Sequence, residues 1–106
     1  MTIVQRLILV QFAWMSLLPA QNSPNVPLLA HVNDYPGVGY NDCWGYTAPD
    51  DREYALLGVR NGTSIIDITD TENVYEVTFI PSATSTWKDI KTYQHYAYTV
   101  TEAAGG

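Results

Sequence analysis

The sequence predicts an all-β chain, organised as an incomplete β-propeller behind an N-terminal signal helix. The first observation is a pattern that occurs twice. Tyr40-Asn41-Asp42-Cys43-Trp44-Gly45-Tyr46 lines up with Trp87-Lys88-Asp89-Ile90-Lys91-Thr92-Tyr93. Both read aromatic, polar, Asp, apolar, two variable residues, Tyr, at an offset of 47 (89 − 42). Tyr54-Ala55-Leu56 then recurs as Tyr96-Ala97-Tyr98, and the shorter offset reflects a longer loop over 47–53. A strand-rich unit recurring every 40–50 residues or so marks a propeller blade or a similar array. The second observation is that Asn25-Val26 and the six residues after it resemble Asn73-Val74 and theirs, at an offset of 48 (73 − 25). Segment 28–32 therefore reads as an outermost strand without its own preceding three, the arrangement in which a propeller closes its ring with strands from both chain ends. The expected content is one outer strand, one full four-stranded blade and half of the next.

The strands follow in order. Segment 42–47 is the first, and Ala48-Pro49-Asp50-Asp51 is a turn in which Pro49 fixes φ and the aspartates favour turn geometry. Segment 53–60 is the second. Asn61-Gly62 tolerates φ > 0 at both positions and predicts a type I′ hairpin turn. Segment 63–68 is rich in β-branched residues and forms the third strand. The polar stretch 69–73 turns the chain, and 74–80 is the fourth strand, stopped at Pro81. Segments 86–93 and 96–101 begin a second meander, with Gln94-His95 as an exposed tight turn.

The N-terminus reads as a secretory leader. A short charged start over 1–6 precedes an uncharged, largely apolar run, and Leu18-Pro19-Ala20 offers a cleavage site after Ala20. The apolar run covers about 14 residues where a membrane span needs about 20. The predicted organisation is a leader over 1–20, a Pro- and Asn-containing linker over 21–27, and a partial propeller domain over 28–106. No membrane span is expected in the mature chain, which is placed outside the cell or at its surface. With five Lys and Arg residues and a net charge of −6, the chain lacks the clustered cations that phosphate binding needs, so no nucleic-acid partner is expected. The single cysteine, Cys43, excludes an internal disulfide and a cysteine zinc site. Its alignment with Ile90 predicts a small buried hydrophobe.

On these residues the chain resembles the N-terminal part of a choice-of-anchor B family protein, built from LVIVD-type repeats. The resemblance runs over 28–106 and rests on the two repeated patterns and on Asn61-Gly62-Thr63-Ser64-Ile65-Ile66-Asp67-Ile68-Thr69-Asp70, where Ser64 to Ile68 stands in place of the name-giving motif. It implies a secreted or surface-attached, mostly bacterial β-propeller with no established catalytic activity. Blades beyond the second and a C-terminal anchor do not follow in this sequence.

Asp42, Asp89 and Trp44 are the candidate ligand-binding residues. The two aspartates stand at equivalent places on the innermost strands, where repeated carboxylates would line a channel mouth and bind a polar ligand or a cation such as Ca²⁺. The competing reading is that each caps backbone N–H groups at a blade junction. Trp44 alternates to the face of Asp42, while Trp87 is read as packing between blades. His31 aligns with Phe79 on the outer strand. Asp67 and Asp70 read as Asx-turn residues. Asn61-Gly62-Thr63 fits a glycosylation sequon but is explained by its hairpin. No catalytic set and no metal set is visible, and no cofactor is called for beyond a possible Ca²⁺. The expected role is a binding module for an extracellular protein, glycan or small ligand. A propeller hydrolase or lyase with its site at the channel is the alternative.

Overall fold

The computed structural model describes residues 25–104, so the leader called over 1–20 and most of the linker lie outside the described residues. The chain is all-β. Strands β1 (Tyr40–Thr47), β2 (Glu53–Val59), β3 (Gly62–Asp67) and β4 (Tyr75–Pro81) form one antiparallel sheet in sequence order. Strands β5 (Lys88–Tyr93) and β6 (Tyr96–Thr101) form a separate antiparallel hairpin, which sets β5 beside β1 and β2. All six strands lie within two residues of their predicted bounds. Among the described residues no helix is long and apolar enough to cross a membrane.

Segment 28–32 departs from expectation. It forms no strand, and Leu28 and Leu29 are exposed. A strand is held by ladder hydrogen bonds, and no described strand lies alongside to supply them. His31 is accordingly exposed rather than packed.

Local chemistry explains each turn. The β1–β2 connection is a three-residue hairpin loop. Asp51 N–H donates to Ala48 O (3.0 Å), Ala48 N–H donates to Arg52 O (2.8 Å), and Asp51 takes the left-handed conformation at φ 64°. The β2–β3 hairpin forms, but not as the expected turn. Val59 pairs with Gly62, so Arg60 and Asn61 are its central residues, and neither Asn61 nor Gly62 has positive φ. Tertiary bonds hold the turn in another shape: Arg60 N–H donates to Gly39 O, Ser85 N–H to Arg60 O, and Ser82 N–H to Asn61 O. Gly62 is needed for space instead. A Cβ there would stand 2.3 Å from the Phe79 ring and 2.6 Å from Ile80 O. In the β5–β6 turn Gln94 has φ 54°, and both Gln94 and His95 are exposed as predicted.

The core is small. β3 is the most buried strand, and among the described residues Leu56, Val59, Ile66 and Ile90 are the buried apolar side chains. Leu56 pairs with Ile65 on the face toward the hairpin, while Ile66 points to the opposite face. That opposite face is partly covered by the loop over 33–39. Tyr35 stacks on Phe79 at 5.1 Å and donates to Glu76, which also accepts from the fully buried Ser64 hydroxyl (2.5 Å). Burial, with the Glu76 carboxylate as hydrogen-bond partner, pushes the Tyr35 phenol up to about 12. Cys43, in contrast, is exposed where a buried hydrophobe was expected, because no described segment covers β1 on this face.

Two outcomes follow. Gly62→Ala destabilises the chain by about 1–3 kcal/mol through overpacking against Phe79, and Gly62→Ala with Phe79→Leu recovers part of that loss in urea titrations. Because the folded-state value of Tyr35 lies above the unfolded value near 10, its stabilising contribution is intact below pH 10 and is lost as pH rises toward 12. Tyr35→Phe flattens that alkaline decline.

Candidate functional site at the junction of sheet and hairpin

The junction is built around an irregularity in β1. Tyr40 pairs with Val59 and Cys43 with Leu57, so Asn41 and Asp42 together oppose Gly58 in a β-bulge. Gly58 leaves the room: a Cβ there would lie 2.1 Å from Asn41 Oδ1. Asn41 Oδ1 folds back to accept from Asp42 N–H at 2.9 Å. Asp42 shares the face of Trp44, and its Oδ2 accepts the backbone N–H of Ile90 in β5 at 2.7 Å. This bond and a second from Cys43 N–H hold the Asp42 carboxyl below the usual carboxylate range, and the nearby Lys91 charge adds to it.

Asp89, Lys91 and Trp44 gather around that bond. Lys91 Nζ donates to Asp89 Oδ1 at 2.7 Å and sits 4.3 Å over the Trp44 ring. Trp44 Nε1 donates to Thr92 Oγ1 at 2.9 Å and keeps 38% of its surface exposed. The three residues singled out from the sequence thus meet at one place. Asp42 makes the capping contact that was one of its two readings. Lys91 brings the cation, and no repeat position could announce it, since Trp44 stands at the equivalent site. Among the described residues no group of three or more His, Cys, Asp or Glu side chains stands together as a metal site. Trp87, read as an inter-blade packing residue, is 67% exposed.

Beyond Trp44 the two layers part into a cleft of about 200 Å³. Leu56 and Ile65 are apolar wall residues from the sheet, Thr92 and Ala97 stand on the hairpin side, and Tyr46, Tyr54, His95 and Tyr96 complete the lining. Tyr46 and Tyr54 stack at 6.3 Å, and His95 lies 4.2 Å from Tyr96. The tyrosines were visible in the repeat, but the cleft was not, because it depends on how the hairpin sits. A second polar cluster lies at the other end of β3. Asp67, 3% exposed, accepts from Arg52 (2.7 Å), Tyr75 OH (3.2 Å) and Thr69 N–H (3.0 Å), the last closing its expected Asx turn. Asp70 does likewise with Glu72 N–H. Both carboxyls are held low, Asp67 chiefly by its Thr69 bonds and Asp70 by Asn73.

The depressed carboxyls set an acid limit. For Asp42, Asp67 and Asp70 stability is complete above the ordinary carboxylate range and is lost as pH falls below it, so thermal melts shift down in acid. Asp42→Asn keeps an acceptor for Ile90 N–H and removes only its share of that pH dependence, whereas Asp42→Ala also lowers the melting temperature at pH 7. Added Ca²⁺ leaves the melting temperature of the unmodified chain unchanged, since a ligand binding the native state would raise it. Comparison with protein-family models, with characterised proteins and with solved structures gave no match to this chain.

Proposed function

We propose that this chain is a secreted or cell-surface binding module of β-propeller type, similar to the choice-of-anchor B proteins with LVIVD repeats. Its ligand is a neutral molecule with apolar faces and hydroxyl groups, of which a glycan ring is the type. The observation that carries the reading is the cleft between sheet and hairpin, with Leu56 and Ile65 in its walls and Tyr46, Tyr54 and His95 around it. Aromatic rings cover the apolar face of such a ligand while their hydroxyls remain available as donors and acceptors. An apolar cleft with a few convergent polar groups is the usual form of a small-ligand site. The hydrolase or lyase alternative has less support. The Asp42 carboxyl is held low and its oxygen is occupied by Ile90 N–H, which suits a cap and not a proton donor near neutrality.

Titration calorimetry of the purified chain against neutral mono- and disaccharides tests the reading. Binding is expected to weaken roughly two- to tenfold in Tyr46→Ala or Tyr54→Ala, the range an aromatic contact supplies. No heat with any sugar, or heat indifferent to both substitutions, would remove the glycan reading. Export is tested separately: the protein recovered outside the cell is expected to begin near Gln21, by mass spectrometry of its N-terminal peptide.

A further inference from the structure

We propose that the outward face of the β5–β6 hairpin is an association surface for a second copy of this chain, which it meets through that copy's Cys43-Gly45-Ala55-Leu57 face. The contact would repeat between molecules the one that β1 and β2 make with β5 within a molecule. It goes beyond the binding role above and does not depend on the cleft having a ligand.

Residues directly opposite in a cross-strand pair share a face. In the hairpin Asp89 pairs with Val100, Lys91 with Tyr98 and Tyr93 with Tyr96. These six share the hairpin face opposite Ile90 and Thr92; Lys91 reaches back over Trp44 and Tyr96 borders the cleft, while Tyr93, Tyr98 and Val100 are each more than half exposed. By the internal repeat, Lys91, Tyr93, Tyr96 and Tyr98 correspond to Trp44, Tyr46, Tyr54 and Leu56. Those four form the face of the sheet that meets the hairpin, through the Trp44–Thr92 bond and the walls of the cleft. The exposed face therefore repeats the chemistry of a face whose occupant is known.

That occupant is the back of β5, where Ile90 is completely buried and Thr92 is bonded to Trp44. Its counterpart in the first unit is the back of β1 and β2, where Cys43 pairs with Leu57 and Gly45 with Ala55. This strip is open. Cys43 is exposed, and a Cβ on Gly45 would meet nothing within 4 Å. One copy thus presents an aromatic face and a small-residue face that match as the two sides of the internal junction do. Such pairing is head-to-tail, so it extends to rings or filaments and does not stop at a two-fold dimer.

Sedimentation equilibrium of the full chain, with two surface substitutions, tests this. The unmodified chain is expected to gain mass with concentration. Tyr98→Arg blocks one face and Gly45→Arg the other, so each variant alone is expected to stay monomeric. Their equimolar mixture retains one intact pair of faces and is expected to stop at dimers. Circular dichroism confirms that each variant keeps its strands. Maleimide labelling of Cys43 in the unmodified chain, which needs no variant, is expected to slow several-fold as concentration rises. A chain that stays monomeric at every concentration, as when its own residues 1–24 cover the hairpin, would overturn the proposal. Association that Gly45→Arg leaves untouched, or concentration-independent labelling of Cys43, would overturn it as well.

Discussion

One hydrogen bond fixes the relation between the two layers. Asp42 reaches across from β1 to the backbone of β5, and Trp44, two residues on, anchors the same strand through Thr92. A backbone donor on a strand edge must find an acceptor, and a carboxylate supplies a strong one. The bond sits beside a backbone irregularity in β1. Plain alternation already sets Asp42 and Trp44 on one face, and the extra residue turns Tyr40 to the other, the face of Cys43 and Leu57. The irregularity in turn requires a partner strand with no side chain at position 58.

Around that bond the energetics are distributed unevenly. Ile90 is the hairpin's fully buried anchor, and a side chain of its size contributes about 1.5–3 kcal/mol on burial. Lys88 adds a second attachment by donating to Gly62 O at 3.1 Å and to Ser82, partly desolvated and with its acidity correspondingly raised. The far end of the sheet is held by polar contacts: Arg52, Tyr75 and Thr69 around one nearly buried carboxylate. The Arg52–Asp67 pair is half exposed on the arginine side, so its worth lies in fixing the Asx turn more than in Coulomb energy.

What the sequence made legible was what local chemistry decides. Alternation, β-branched runs and Pro-Asp turn signals placed the six strands, and the repeated Asp marked the junction before any geometry was known. Several expectations failed where a distant segment decides, those for His31 and Trp87 among them. Asn61-Gly62 has the composition of a type I′ turn, but bonds from Gly39, Ser82 and Ser85 impose another form, and the glycine serves Phe79 instead. Segment 28–32 has the composition of a strand but no ladder to join. Cys43 has the pattern of a core residue, and only the layer that would cover it determines whether it is one. The Tyr35–Glu76–Ser64 cluster left no local trace, since its members are 41 and 12 residues apart.

The outer strand carries a further consequence. β4 is the last strand of its sheet, with Val77 and Ile80 about half exposed. A long flat edge of that composition would template indiscriminate growth by strand addition. Here the ladder slips at Val77, where Ile65 pairs with Thr78 but Ile66 pairs with Glu76. The strand also ends on Pro81, which has no N–H to offer. Glu76 is drawn inward by Tyr35 and Ser64, which ties the bulged stretch to the buried side of the sheet. The same polar cluster that holds the loop over 33–39 thereby fastens the irregular stretch of the edge strand, and an irregular edge is a poor template for strand addition.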